Sequence, residues 1–429
     1  MHPIIIFVFS LLIILFFTAR LRIHPFLGLI LTSVFTGILA GEASTTIDAI
    51  TTGMGRVFSH FAIIIAAGST IGIILHRTGG AKLIAADVIT ISRKPLFGLN
   101  ILGFIFAVPL MCCILAYVIF IPVAKEIRIK QDFPKVLTAS TLVFGTLASY
   151  NLVYPSPVVY SAVTELGISK SDILMPGILL AFIVSMAGYF YATKFCRFGN
   201  RDENILEYRI DETASNDPVN SGRLAAYTPI GFSVAFVLAD VFTNIALFDV
   251  LGEPNMALLI GVIMAILFAY RQYSPDVVKE WIEKAIKRSG VVILDMCGGG
   301  ALGATLAMTG AGQEIGSLLS GLPLPSILVP FLIAVAIQSV QGSRVVTMLV
   351  APSIVIPLIP VLGLPPVIVL FSMASGTFLI SHFNDPFFWI YKDLAELETS
   401  EVLRSYTMGG VVMGITCLML TGIADLLFY

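Results

Sequence analysis

Long apolar runs separated by short polar clusters fill this chain from end to end. A bilayer core about 30 Å thick needs about 20 apolar residues to cross as a helix. On that measure the pattern predicts ten spans, at 3–19, 25–41, 60–76, 136–164, 173–193, 228–248, 254–270, 290–308, 366–391 and 406–428. Two further apolar stretches are interrupted. One, 97–124, is broken by Pro109; the other, 324–360, by Pro330, Pro352 and Pro357 and by the polar run from Gln338 to Arg344. The longest polar segment, 194–224, predicts a connector between two halves. The first apolar run, His2 to Thr18, has no basic stretch before it and reads as a span, not a cleaved signal.

Composition agrees with a multi-pass membrane protein. Of 429 residues, 57% are hydrophobic and 12% charged, where a soluble domain carries about a quarter charged. So apolar a chain is neither a soluble enzyme nor disordered. A net charge of -2 leaves no basic footprint for nucleic acid. The five cysteines form no C-x-x-C pair, which argues against a disulfide framework or a zinc site. With no H-E-x-x-H, G-x-S-x-G or Walker A pattern, neither an enzyme nor an ATP-driven pump is expected, and no cofactor or metal is expected.

The halves resemble each other at one offset, 231 residues (299 minus 68). Gly68, Gly72, Leu75, Thr78 and Gly79 fall on Gly299, Gly303, Leu306, Thr309 and Gly310. Without a gap, Pro134, Gly145, Thr146 and Pro155 fall on Pro365, Gly376, Thr377 and Pro386. Such self-similarity predicts a duplication: a first repeat over 1–196, a polar cytoplasmic connector over 197–226 and a second repeat over 227–429.

Charge gives the orientation, since cytoplasmic loops carry the Lys/Arg excess. Arg20 and Arg22 follow the first span, whereas Asp249 and Glu253 follow its counterpart. Glu42 and Asp48 follow the second span, whereas Arg271, Lys279, Lys284, Lys287 and Arg288 follow its counterpart. Equivalent loops of opposite charge predict inverted repeats, the pattern of secondary transporters with sites at the midplane. Basic residues flank 97–124 at both ends, so it should dip in from the cytoplasm as a re-entrant hairpin with its tip near Pro109 to Cys113. The stretch 324–360 has none and should enter from outside, with its tip at Gln341-Gly342-Ser343-Arg344. The expected fold is therefore an all-α polytopic membrane protein. It is an inverted repeat of five spans plus one re-entrant hairpin each, with broken helices at the midplane and both termini outside. Each hairpin could instead be two full helices.

Four groups of residues could carry chemistry. Ser381-His382-Phe383-Asn384-Asp385-Pro386 interrupts an apolar run, and Pro386 blocks helix continuation. Polar groups inside a membrane are costly and mark functional candidates, and His382 and Asp385 could change protonation in a proton-coupled cycle. The bland alternative is a loop at the membrane edge. The counterpart runs from Ser149 to Pro157, where Tyr150, Asn151 and Ser156 could hydrogen-bond a polyhydroxylated ligand, or merely line a kink. In the hairpin tip, Arg344 offers a fork that matches a carboxylate, and Gln341, Gly342 and Ser343 offer polar and backbone groups. The alternatives are an Arg that snorkels or pairs with a protein carboxylate. Asp295 is a proton or sodium ligand, or the partner of Arg344. The glycine clusters 68–80 and 298–312 read as close helix packing. The stretch 275–288 reads as an amphipathic cytoplasmic-surface helix, with 45–59 its mirror outside.

At these residues the chain resembles the gluconate permease family of the ion-transporter superfamily. "CGGGALGATLAMTGAG" is similar to its Gly-rich helix, "QSVQGSRVVTMLVAPSIV" to its Q-G-S segment, and "SHFNDPFFW" to its S-H-x-N-D-x-x-F-W signature. "GSTIGIILHRTGGAKLIA" in the first half also fits. The resemblance implies import, by proton symport, of a small organic anion, a gluconate-like sugar acid or hydroxy-carboxylate. It also implies a homodimer in the prokaryotic inner (cytoplasmic) membrane, with hairpin-bearing transport domains moving as elevators against a scaffold. A sodium-coupled or antiport carrier of another small carboxylate or amino acid is the alternative, and a channel is the different class. The chain departs from the family in its first half. The histidines of H-x-L-V-P-P-H-P-G-P are Tyr150 and Ser156 here, the F-F-D of the first hairpin is Met111-Cys112-Cys113, and the Arg before Q-G-S is Gln338, with Arg344 new after it.

Overall fold

The computed structural model describes residues 2–21, 23–198, 222–243, 245–310, 314, 324–382 and 385–428, with backbone alone at 15, 18, 19, 340 and 341. Among the described residues every regular element is helical. The first part of the chain forms α1 (Pro3–Leu15), α2 (Pro25–Ala40), α3 (Ala43–Arg77), α4 (Gly80–Ser92), α5 (Pro95–Ala107), α6 (Cys113–Gln131), α7 (Lys135–Leu152), α8 (Pro157–Leu166) and α9 (Lys170–Phe195). The second forms α10 (Arg223–Phe242), α11 (Ala246–Leu251), α12 (Pro254–Tyr270), α13 (Pro275–Met308), α14 (Leu328–Gln341), α15 (Arg344–Val355), α16 (Pro366–Leu379), α17 (Pro386–Ala395) and α18 (Met408–Phe428). Proline begins α1, α2, α5, α8, α12, α13, α16 and α17. At a first helical position its missing N–H costs nothing and its fixed φ suits the helix.

Seven helical stretches among the described residues are long and apolar enough to cross a membrane: Ala43–Arg77, Lys135–Leu166, Lys170–Phe195, Arg223–Phe242, Pro275–Met308, Arg344–Leu362 and Thr399–Phe428. Four of the ten predicted spans are shorter helices. Pro3–Leu15 has 13 residues, Pro25–Ala40 has 16, Pro254–Tyr270 has 17, and 366–391 stops at Leu379. Conversely, Arg344–Leu362, expected as half of a hairpin, is itself long enough to span.

The two long helices correct the sequence reading. The stretches 45–59 and 275–288 are not separate surface helices; each continues unbroken into the span after it. No proline or αL glycine separates them, so the backbone ladder runs on. Trp281 is buried against Ile74, Ala265, Ala269 and Val278. α3 and α13 cross antiparallel, the N-terminal part of each against the C-terminal part of the other. At the crossing a Cβ on Gly53 would collide with the Gly300 carbonyl, and one on Gly300 with Gly53 and Val57. The expected glycine packing is therefore seen directly.

Around this crossing sit α2, α10 and α12, and beside it lies a second group built on α7 and α16. Every residue of α7 from Val136 to Leu152 is buried, as is α16 from Ile368 to Phe378. Hydroxyl side chains on α7 survive burial by donating to their own helix, as Ser140 does to Val136 (2.6 Å) and Thr146 to Val143 (2.7 Å). Asn100 of α5 donates to the Thr141 carbonyl (3.0 Å) and accepts from Ser185 of α9 (2.9 Å), tying three helices together. Both buried helices end in breaks, after Leu152 and after Leu379, and both interrupted stretches fold as helix, tight bend, helix, with α5 packed on α6 and α14 on α15.

Overpacking a close crossing costs about 1–3 kcal/mol. Gly300→Val should lower the thermal unfolding midpoint in detergent by several degrees. Gly290→Ala, on the same helix with open space around it, should not lower that midpoint.

Candidate functional site

The bend between α14 and α15 is built by a small set of hydrogen bonds. Gly342 takes φ 77°, a left-handed conformation in which a Cβ would be strained, and its N–H donates to the Gln338 carbonyl (3.0 Å). The Gln338 amide donates to the Gly342 carbonyl (2.8 Å) and accepts from the Thr347 hydroxyl (2.8 Å). Ser343 caps α15, its Oγ accepting from the Val346 N–H (3.4 Å). The next residue, Arg344, is thereby fixed at the first turn of α15 with its side chain turned inward.

Arg344 is buried, its side chain 5% exposed, and so is Asp385 at 3%. Arg344 Nη1 donates to Asp385 Oδ2 (2.9 Å), and Nη2 donates to Ser381 Oγ (2.6 Å) and to the Tyr406 hydroxyl (3.0 Å). Tyr406 in turn donates to Asp385 Oδ2 (2.7 Å). Asp385 also caps α17, its Oδ1 accepting from the Phe387 N–H (2.9 Å). The break after α16 therefore presents Ser381 and Asp385 to the arginine at the bend. Tyr406 arrives from the turn Leu403–Thr407, which carries π-type hydrogen bonds, a form that often marks functional positions. The adjacent Thr407 ties the turn to the Ser381 carbonyl (2.6 Å). A buried charge is tolerated only when paired and hydrogen-bonded; here one arginine serves three side chains, while its Nε has no acceptor.

The break after α7 approaches from the other side. Met111, like Gly342, has positive φ (51°), and Cys112 Sγ accepts from the Leu115 N–H (3.3 Å), much as Ser343 caps α15. Cys113 and Tyr150 both lie within electrostatic reach of Arg344, so the two bends and two breaks converge. Ser156 is engaged as the cap of α8, accepting from the Val159 N–H (3.3 Å). Asn151 is fully buried, and among the described residues neither its amide oxygen nor its amide nitrogen has a partner. Beside this break, an apolar cavity of about 280 Å³ is lined by Met111, Ser149, Val153, Tyr154 and Pro155 and by α10 and α12.

Of the residues singled out in the sequence, Gly342, Ser343, Arg344, Ser381, His382, Asp385 and Tyr150 gather at this junction. Asn384 and the Gln341 side chain lie outside the described residues. Asp295 is not the partner of Arg344; Asp385 is. Asp295 instead accepts from the Phe26 N–H (3.1 Å) at the start of α2 and faces His24 (3.5 Å). Lying where α13 meets the first turn of α2, it satisfies an orphan helix-terminus donor. Sequence reasoning missed Tyr406, Thr407 and Gln338. The polar run Arg404-Ser405-Tyr406-Thr407 before an apolar span was the available signal.

Similarity to known proteins points the same way. The sequence model described as "GntP family permease" matches residues 2–427. The low-affinity gluconate transporter of Escherichia coli (strain K12) is 26% identical over 429 aligned residues, covering 94% of this chain and 94% of that protein. The L-idonate transporter of the same organism's Gnt-II system is 23% identical, covering 95% of each. Among solved structures, MtrF of Neisseria gonorrhoeae, described within a class of antimetabolite efflux pumps, superposes with a TM-score of 0.62 at 12% identity, covering 100% of this chain and 96% of that one. That likeness bears on the fold.

Breaking a buried ion pair by removing one partner costs about 3–5 kcal/mol, whereas replacing both by apolar groups is often neutral. Asp385→Ala should therefore destabilise the detergent-solubilised protein markedly, and Arg344→Met combined with Asp385→Leu should recover most of the loss. Equal instability of the double variant in chemical denaturation would contradict the pairing as the source.

Proposed function

This chain belongs to the GntP permease family, and from that premise we propose that it imports a small organic anion across the inner membrane by proton symport. The observation that carries the reading is the Arg344–Asp385 pair at the junction of the two bends and breaks. An arginine fork holds a carboxylate bidentately. In this structure one arm of the fork, Nη1, holds Asp385, while Nη2 holds Ser381 and Tyr406. For a substrate carboxylate to take the fork, Asp385 must give up its charge, and a proton does this. Arg344 then always faces one negative charge, never none and never two. Empty and loaded sites carry the same net charge, so one proton accompanies each monoanion.

The rest of the site suits a hydroxy-carboxylate. An amide both donates and accepts, as a hydroxyl does, and both polar atoms of Asn151 are without partners. Tyr150, Ser343 and Ser381 add hydroxyls nearby, and His382 beside Asp385 is the second group for the proton path. Gln341 and Asn384 are assigned to the substrate with them. Ser156, which like Ser343 caps a helix through its Oγ, keeps its O–H to donate, and we assign it to the substrate as well. Asp295 would couple only through a separate step at α2. The relatives named for gluconate and L-idonate carry sugar acids, and we assign this chain the same class.

For mechanism we propose inverted repeats over 1–196 and 227–429 joined by 197–226, two re-entrant hairpins, and elevator-type movement within a homodimer. Support comes from the helix bounds. Adding 231 to Ala43–Arg77 gives 274–308, against Pro275–Met308 for α13. Adding it to Pro95–Ala107 gives 326–338, against Leu328–Gln341 for α14. It also carries Cys112 and Leu115 onto Ser343 and Val346, the two capping bonds at the bends.

In proteoliposomes, Asp385→Asn should retain counterflow of unlabelled against labelled gluconate-class anion but lose accumulation driven by an acid-outside gradient. Unchanged accumulation would sink the coupling role, and accumulation that follows sodium instead of pH would favour the sodium-coupled alternative. Arg344→Lys, which loses the fork, should weaken half-saturation by about tenfold or more, roughly 1.4 kcal/mol.

A further inference from the structure

The charged residues on the two ends of the molecule follow the same 231-residue offset as the helices. Arg56 on α3 and Glu165 on α8 correspond to Lys287 on α13 and Glu396 after α17 (56 plus 231, 165 plus 231). Charge sign is kept at both positions. Because α3 and α13 cross antiparallel, Arg56 and Lys287 lie toward opposite ends of the crossed pair.

The two sets are engaged differently. Arg56 Nη1 reaches both oxygens of Glu165 (3.1 and 3.0 Å), joining the crossed helices to the group that carries the Arg344 site. Both residues line a cavity of about 160 Å³ whose other walls include Gly53, Gly300, Leu349 and Ser353. At the other end, Glu396 turns away from α13. It accepts from Lys125 of α6 (2.6 Å) and faces Lys135 of α7 (3.6 Å), both within its own group of helices. The Lys125 hydrogen bond holds the Glu396 carboxyl below the usual carboxylate range. Lys287 is exposed, and among the described residues it has no ion-pair partner.

We propose that Arg56–Glu165 and Lys287–Glu396 are alternating latches, one closed in each of the two end states of transport. The inference rests on the alternating-access reading above and adds the residues that position the moving group in each state. In the state seen here the Arg56 latch is closed and the Lys287 latch open. Movement of the α7/α16 group along the crossed helices would draw Glu165 off Arg56 and bring Glu396 from Lys125 to Lys287. Ion pairs facing water are weak; each latch therefore biases the populations by no more than about fivefold and does not lock either state, as a carrier that must cycle requires.

The test is cross-linking in proteoliposomes without substrate, using a short bis-maleimide. Arg56→Cys with Glu165→Cys should cross-link readily, and Lys287→Cys with Glu396→Cys several-fold less. Adding Glu165→Gln to the second pair should raise its yield several-fold, while adding Arg56→Lys, which keeps the charge, should not. A yield that ignores Glu165→Gln, or a second pair that reacts as readily as the first from the start, would overturn the proposal. Counterflow by the unmodified chain reports separately. Normal counterflow with an unresponsive second pair removes the latch and leaves the transport reading. A responsive second pair in a chain silent to every candidate anion keeps the two-state latch and removes the transport reading.

Discussion

A guanidinium placed where no water reaches it must have a carboxylate beside it, and that constraint organises this molecule. Arg344 stands at the first turn of α15 because Gly342 bends the chain and Ser343 caps the helix. Asp385 stands at the first position before α17 because Pro386 starts that helix and the Asp385 side chain caps it. Tyr406 bridges the two from a third segment. Separating such a pair without replacement would cost about 3–5 kcal/mol. The protein thus supplies from its own chain the carboxylate that this guanidinium requires.

The surrounding architecture serves that arrangement. Broken helices leave backbone groups unpaired, which is tolerable at membrane depth only inside protein or beside water. α7 and α16 are accordingly buried along most of their length, and each ends in a break at the site. Glycines make the enclosure possible. Gly68 and Gly72 on α3 receive Leu110, Met111 and Leu115 of the first bend, and Gly299 on α13 receives Val346 of the second. A side chain at any of these three positions would push a bend away from its long helix, and with it the residues that face Arg344.

Much of this was legible in the sequence because its causes are local. Pro386 after a polar run, Gly342 beside Ser343, and Pro155 with Pro157 announce breaks through backbone chemistry alone, and the structure breaks at each. Gly-rich runs announced close packing. What was not legible depended on distance. Asp295 and Asp385 are both acids in apolar runs, and the chain does not say which one Arg344 reaches; the fold gives Asp295 to the start of α2. Tyr406 sits 62 residues from Arg344, in a turn whose π-type bonding has no sequence signature. The unity of α3 and α13 was hidden by their change of character midway. An amphipathic stretch followed by an apolar one reads as two elements, although nothing in the backbone interrupts the helix.

We propose that one arginine serves either its own aspartate or the substrate, with a proton settling which. Proton uptake on binding tests it most directly. A gluconate-class anion is titrated into purified protein in weakly buffered detergent solution containing a pH indicator. About one proton should be taken up per anion bound, and none in Asp385→Asn although that variant still binds. Saturable binding to the unmodified protein with no proton uptake would contradict it, because Asp385 would then have kept its charge beside an occupied Arg344.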